Sequence, residues 1–182
     1  MPSSPVRLRR SLVALLTSAV LVAGATAGAQ EASAYVPPPP VSSAEATIGY
    51  ALFTLLNQER AANRLPALRS NPYLRSSARY HDVKMAGANQ MAHQVYGEPS
   101  LGARVSASRY NWAAVGENIA WNSDMTTNGA AYVQKAMYNE KAPNNLHRVN
   151  MLSRTFRDVG VDVYLDRVHH KMWITFDFGV WR

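Results

Sequence analysis

Residues 112–121 read Trp-Ala-Ala-Val-Gly-Glu-Asn-Ile-Ala-Trp, an apolar run with one acidic side chain, Glu117, near its middle. The length and composition of this run predict a buried strand. A carboxylate inside such a strand is costly unless it is paired with a charge or bound to a metal. The run therefore predicts a strand that lines a polar cavity.

Helices are expected before this strand. A capping box of Ser42 and Glu45 begins one helix, and apolar residues at helical spacing extend it to about Asn63. An Asn-Pro pair, which supplies a capping side chain and then proline at the first helical position, begins a second helix that ends near Gly87. A third, short helix is expected at residues 101–106.

A helix and a hairpin are expected after the strand. The helix spans residues 128–140 and carries Met137 and Glu140 on its apolar stripe. Alternating residues at 159–163 and 173–178 predict two strands, and the short loop at 166–170 makes them a hairpin. Helices followed by strands and helices with hairpin connections define an α+β layered domain.

The N-terminal part of the chain is expected to be an export signal and a spacer. Three arginines precede an uncharged apolar stretch that ends in Ala-Gly-Ala, so residues 1–29 are interpreted as a signal peptide and the protein as secreted. An uncleaved membrane anchor is the alternative interpretation of this stretch, since its length is close to that of a spanning helix. Residues 30–43 contain a run of four prolines and are interpreted as a linker, which leaves residues 44–182 as one domain.

Composition excludes several classes of protein. The 182 residues contain no cysteine, so disulfides, zinc ribbons, a cysteine nucleophile and a lipoprotein anchor are ruled out. The net charge of +7 falls to +4 without the three arginines of the first ten residues. A surplus of four charges spread over a domain is a solubility feature, so no nucleic-acid partner is expected.

Two histidines and two glutamates are the candidate site residues: His93, Glu117, Glu140 and His147. Each has an ordinary structural alternative, because a single histidine is usually a satisfied structural residue, Glu117 could pair with an arginine, and Glu140 could be a solvated helix end. His147 is expected in an asparagine-rich loop. His81 is interpreted as a buried core residue with a hydrogen-bond partner.

Four segments stand out by their order and spacing: Leu56-Asn57-Gln58-Glu59-Arg60, Gly116-Glu117-Asn118-Ile119-Ala120, His147-Arg148-Val149-Asn150-Met151-Leu152 and Phe176-Asp177-Phe178-Gly179. Together they resemble the CAP superfamily, the group of cysteine-rich secretory proteins, antigen 5 and pathogenesis-related-1 proteins that is also called the SCP domain. The resemblance is strongest to the bacterial secreted branch.

The resemblance implies a three-layer α-β-α sandwich with a small, mainly antiparallel central sheet. It also implies a cleft with two histidines and two glutamates that can bind a divalent ion, often zinc. By position, His93 and His147 are the metal ligands, and Glu117 and Glu140 line the cleft. The chain departs from many family members in having Leu146 where they have glycine before the second histidine.

Two functions are compatible with such a cleft. The first is an extracellular binding or interaction module for a small molecule, a lipid or a cell-envelope ligand, with no stable membrane anchor once the signal is removed. The alternative is a metal-assisted hydrolase or peptidase acting on peptide or cell-envelope material, with Glu117 and Glu140 as the candidate catalytic residues. Two imidazoles suit Zn²⁺ or another divalent cation but fall short of the three-ligand catalytic pattern, and no His-Glu-x-x-His run is present, so the non-enzymatic interpretation is favoured.

Overall fold

The computed structural model describes residues 13–15, 19–22 and 38–182. The helices of this part of the chain are α1 (Ser43–Ala62), α2 (Pro72–Ala88), α3 (Leu101–Ala107), α4 (Thr127–Tyr138) and α5 (Leu146–Met151). The strands are β1 (Val13–Leu15), β2 (Ala19–Val22), β3 (Arg69–Ser70), β4 (Trp112–Asn122), β5 (Asp158–Asp166) and β6 (Lys171–Trp181).

The long helices begin where their capping residues stand. Ser42 and Glu45 form the reciprocal capping box predicted for α1, with bonds of 2.8 and 3.3 Å between each side chain and the other residue's backbone N–H. The Asn71 side chain accepts from the first turn of α2, whose first residue is Pro72. Local sequence therefore fixes both starts, and the predicted helices and the β5–β6 hairpin are confirmed.

The sheet is mixed and mainly antiparallel. Its strands follow the order β1-β4-β6-β5-β3, and β2 also pairs with β4. The pairing of β4, β5 and β6 is antiparallel, whereas the short β3 runs parallel to β5. Strand β4 therefore has β6 on one side and the N-terminal strands β1 and β2 on the other.

The two faces of the sheet have different chemistry. Helices α1, α4 and α5 cover one face, where the apolar side chains of β5 and β6 pack, among them Val161, Ile174 and Phe178. Helices α2 and α3 cover the other face, where the alternate positions of the strands include Glu117, Asp162 and Asp177, all fully buried. The result is a three-layer α-β-α arrangement with one hydrophobic interface and one interface in which buried charged residues lie among smaller apolar clusters.

Two predicted positions are corrected, and two short elements, α5 and β3, were not predicted. Helix α4 ends at Tyr138, so Glu140 follows the helix instead of completing its apolar stripe. His147 lies in the first turn of α5 and not in a loop. Helix α5 has six residues, and strand β3 has two. Elements this short have no periodicity that a sequence pattern could reveal.

The predicted signal peptide and linker fall largely outside the described residues, including both candidate cleavage patterns at 27–29 and 32–34. Within the predicted signal peptide, β1 and β2 are described, and both pair antiparallel with β4. At the end of the predicted linker, the carbonyls of Pro39 and Pro40 accept hydrogen bonds from the Arg79 guanidinium, each at 3.2 Å. No helix in the described part of the chain is long and apolar enough to cross a membrane.

Candidate functional site

The first half of the site is a histidine–carboxylate pair on the α2–α3 side of the sheet. Glu117 lies in β4 and is fully buried, as the apolar run around it predicts. His93 lies in the loop between α2 and α3 and keeps 24% of its side chain exposed. Its Nδ1 atom is 2.8 Å from the Glu117 Oε1 atom. The sequence-predicted pair His93 and Glu117 is therefore brought together.

Arg104 of helix α3 holds this pair in place. One terminal nitrogen of its guanidinium donates to the second carboxylate oxygen of Glu117. The other terminal nitrogen donates to the backbone carbonyl of His93 at 3.2 Å and to that of Pro99 at 3.3 Å. A single buried guanidinium thus positions both the carboxylate and the loop that carries the imidazole.

These contacts fix the charge of Glu117. Burial alone would raise the pKa of its carboxyl group, but the positive Arg104 and the neighbouring His81 and His93 outweigh burial and lower the pKa to about 2. Glu117 is therefore an ionised carboxylate over the whole physiological pH range. Both of its oxygens are engaged, Oε1 by His93 and Oε2 by Arg104.

A second group of ionisable residues lies behind Glu117. His81 of α2 is fully buried, and its Nδ1 atom is 2.8 Å from the Glu98 carboxylate, so the prediction of a hydrogen-bonded core histidine is confirmed. Its Nε2 atom is 3.8 Å from Glu117. Asp177 of β6 lies opposite Glu117 in the sheet, and burial together with that neighbouring carboxylate raises its pKa, which favours the protonated form.

Sequence reasoning missed Arg104 and Glu98. The signal for Arg104 was present, because Leu101, Arg104 and Val105 are spaced to share one face of the predicted third helix, and an arginine on an apolar face needs a buried anion. No comparable pattern surrounds Glu98, which lies in an irregular loop.

The second half of the site lies on the opposite side of the sheet. The His147 Nδ1 atom is 2.5 Å from Glu140 Oε1, and the other Glu140 oxygen accepts from the backbone N–H groups of His147 at 3.1 Å and Arg148 at 3.4 Å. Glu140 thus accepts hydrogen bonds from backbone N–H groups in the first turn of α5, where the Asn145 side chain makes no capping bond. The structure brings the predicted pair Glu140 and His147 together across the loop between α4 and α5.

Strand β4 joins the two halves. The Asn118 side chain donates to the His147 carbonyl at 3.0 Å, and Asn150 of α5 donates to the Glu117 carbonyl at 3.3 Å. Asn150 also donates to the Asn118 side chain at 2.9 Å. Because Glu117 and Asn118 are consecutive in a strand, their side chains point to opposite faces. The two histidine–glutamate pairs therefore flank the same point of β4, one on each face.

The donor set limits what kind of cation site the two pairs could form. In both pairs a carboxylate faces Nδ1 and orients the imidazole, as carboxylates orient histidine ligands in metalloproteins. Across residues 13–15, 19–22 and 38–182, however, no cluster of three or more histidine or acidic side chains is arranged to hold a metal. The residues fit at most two imidazole ligands, His93 and His147, completed by water.

The chain belongs to the CAP family. The family model described as "Cysteine-rich secretory protein family" matches residues 53–178, which is more than half of the chain and includes all four candidate site residues. The two histidine–glutamate pairs thus lie within the part of the chain that defines the family. No curated protein matches the sequence.

Solved bacterial structures share the fold. An extracellular protein containing a SCP domain from Bacillus anthracis matches with a TM-score of 0.63 and 25% identity, over 78% of this chain and 44% of its own. An outer surface protein from Borrelia burgdorferi matches with a TM-score of 0.62 and 15% identity, over 75% of this chain and 94% of its own. A cysteine-rich secretory protein from Staphylococcus aureus matches with a TM-score of 0.55 and 16% identity, over 77% and 40%. This chain therefore spans less than half the length of the Bacillus and Staphylococcus proteins.

Proposed function

We propose that this chain is an extracellular CAP-domain binding module whose ligand site is the cleft at β4 between the His93–Glu117 and His147–Glu140 pairs. Its ligand class is a small molecule, a lipid or a component of the cell envelope. A divalent cation such as Zn²⁺ is a second proposed ligand, which the two imidazoles would share beyond the edge of β4, since the pairs lie on opposite faces of the sheet.

One observation carries the choice of a binding module over a hydrolase: both candidate catalytic carboxylates are already fully engaged. Glu117 binds Arg104 and His93, and its pKa of about 2 is far from the value that suits a general base at neutral pH. Both oxygens of Glu140 are occupied by His147 and the start of α5. The two carboxylates act as positioning groups for the imidazoles.

The extracellular location rests on two observations. The N-terminus combines a basic segment, an uncharged apolar stretch and small residues at potential cleavage positions, which is the composition of a signal peptide. The similar structures from Bacillus anthracis and Borrelia burgdorferi are described as an extracellular protein and an outer surface protein.

Titration calorimetry with Zn²⁺ tests the cation site. We expect modest affinity for the parent protein and loss of most binding in His93→Ala and in His147→Ala, because one imidazole and water hold the ion poorly. Glu117→Gln should weaken binding less, since the amide keeps the shape of the carboxylate, and circular dichroism checks that the variant stays folded although Arg104 loses its counter-charge. His169→Ala is the matched control, because His169 lies in the β5–β6 turn and bonds Asp166 instead of the cleft residues.

Two outcomes would contradict the proposal. If both cleft-histidine variants bind Zn²⁺ as the parent does, the two pairs do not share an ion. If the metal-loaded protein hydrolyses peptides or cell-wall fragments and Glu117→Gln or Glu140→Gln abolishes that turnover, the domain is a hydrolase and the carboxylates are catalytic.

A further inference from the structure

The outer edge of β4 is paired with the chain's own N-terminal segment. Strand β1 pairs residues 13–15 with residues 120–122 of β4, and β2 pairs residues 19–22 with residues 114–117. Both pairings are antiparallel and lie on the side of β4 opposite β6. The step from Leu15 to Ala19 spans four positions, whereas the matching step from Ala120 to Glu117 spans three, so the register shifts by one residue between β1 and β2.

This segment shows which chemistry the edge accepts. The two paired stretches read Val-Ala-Leu and Ala-Val-Leu-Val, without charge, proline or glycine. An edge strand offers a row of backbone N–H and C=O groups, and an added strand gains affinity from pairing with that row. The edge of β4 thus accepts an extended apolar chain through main-chain hydrogen bonds.

The paired edge coincides with the candidate site. Ala19 is the direct partner of Glu117, the residue whose side chain bonds His93. The next residue of β4, Asn118, bonds the backbone of His147 on the other face. A strand added at this edge therefore passes the point of β4 that both histidine–glutamate pairs flank.

The pairing segment lies within the predicted signal peptide, residues 1–29, so export would remove it and expose the edge. We infer that the processed domain binds an extended, uncharged, apolar segment of another polypeptide, antiparallel to β4 at residues 114–117. This inference rests on the proposed function of the β4 region as a ligand site, and it adds a polypeptide segment to the ligands proposed for that site. In the unprocessed chain, residues 13–15 and 19–22 pair with this edge and act as an internal ligand.

The test uses the fragment 38–182 and a synthetic peptide of residues 9–24, whose two arginines keep it soluble. The fragment contains the described hydrophobic clusters, whose buried members range from Ile48 to Phe178, and it contains the whole family match at 53–178. The fragment therefore has the core needed to fold alone, and circular dichroism checks that it does. Binding is measured by fluorescence anisotropy of the labelled peptide.

Backbone N-methylation supplies a matched pair of probes. Along an edge strand, successive N–H groups point alternately toward and away from the neighbouring strand. One peptide carries N-methyl groups on Ala19 and Leu21, and the other carries them on Val20 and Val22. We expect one of the two to bind at least tenfold more weakly than the unmodified peptide and the other to bind nearly as well. The full-length chain, whose edge is occupied, should bind the unmodified peptide more weakly than the fragment.

Equal binding of the two methylated peptides would overturn the inference, since it would show apolar adhesion without strand pairing. Absence of peptide binding, with the fragment a dimer at the same concentration, would overturn it in favour of edge pairing between two copies. Absence of binding to a monomeric fragment would overturn it outright. The Zn²⁺ titrations of the His93 and His147 variants measure a different property. A negative peptide result therefore does not contradict the proposed cation site, and a negative Zn²⁺ result does not contradict peptide binding at the edge of β4.

Discussion

Arg104 and Glu117 form an ion pair from which solvent is almost completely excluded, with 1% of the arginine side chain and none of the glutamate side chain exposed. The pair joins helix α3 to strand β4, and it fixes the carboxylate that orients His93. A buried charge that loses its partner is strongly destabilising, even where the intact pair adds little net stability.

Arg104→Met should therefore destabilise the fold by about 3–5 kcal/mol, because it leaves the buried Glu117 carboxylate without its main counter-charge. Urea denaturation followed by circular dichroism measures the change. The control is Arg69→Met, which removes an arginine side chain that is 74% exposed and leaves the buried Asp158 carboxylate its hydrogen bond from Tyr110, so the loss of stability should be clearly smaller. Equal effects of the two substitutions would show that the Arg104 pair is not a buried electrostatic anchor.

Glu59 of α1 should make stability depend on pH. Burial raises the pKa of its carboxyl group from 4.5 to about 7, although the Gln134 side chain donates to it at 2.9 Å. Between pH 4.5 and about 7, the folded state holds a proton that the unfolded state has released, so stability falls as the pH rises through this window.

Glu59→Gln should remove the fall in folding stability with rising pH, since the amide stays neutral. We expect the variant to be more stable than the parent above pH 7, by on the order of 2–3 kcal/mol, and equally stable near pH 4. Denaturant titrations across this range provide both the measurement and its internal control. A parallel pH dependence in the two proteins would rule out Glu59 as the titrating group.

Gly160→Ala should disrupt the contact between β5 and α2. A Cβ atom at this position would lie 2.1 Å from the Arg75 nitrogen and 2.2 Å from the Leu74 carbonyl carbon, which are both backbone atoms of α2. We expect a loss of about 3 kcal/mol or failure to fold, measured by thermal denaturation. Gly87→Ala in α2 is the control, because a Cβ atom there meets nothing within 4 Å, and alanine should stabilise the helix by roughly 0.5–1 kcal/mol.

The exported protein should begin at Gln30 or Tyr35, which follow the Ala-Gly-Ala and Ala-Ser-Ala patterns. N-terminal sequencing of protein from the medium of an expressing bacterial culture checks this. Substituting Ala27 and Ala29 with leucine should abolish the first start and leave the second available. Recovery of the intact chain from membranes alone would show that the segment is an anchor.

The sequence predicts those parts of the fold and site that depend on local patterns. The start of α1, the start of α2, the hairpin and the burial of Glu117 follow from capping residues, alternation and one carboxylate in an apolar run. The resemblance of motifs to the family singled out the four residues that form the two histidine–glutamate pairs, and their role in binding stays a prediction.

The remaining parts depend on contacts between distant segments. Glu140 serves as the cap of α5 because the chain returns past it after seven residues, and no local pattern shows which carboxylate a six-residue helix will recruit. Glu98 lies in a loop and is buried because His81 of α2 and Arg104 of α3 converge on it. Such ion pairs are specified by tertiary packing, so they appear only once the layers are assembled.

The unequal chemistry of the two sheet faces has a consequence for how the sequence can diverge. Beneath α1 and α4, apolar side chains can be exchanged one at a time for others of similar volume at small cost. Beneath α2, one side chain, that of Arg79, contacts Asp162, Glu45 and the backbone carbonyls of Pro39 and Pro40. Replacing Arg79 therefore leaves several buried groups without a partner. Sequence divergence on that face is therefore expected to proceed through coordinated exchanges of acidic and basic residues. A library of double substitutions at positions 79 and 162 should recover folded variants that neither single substitution yields.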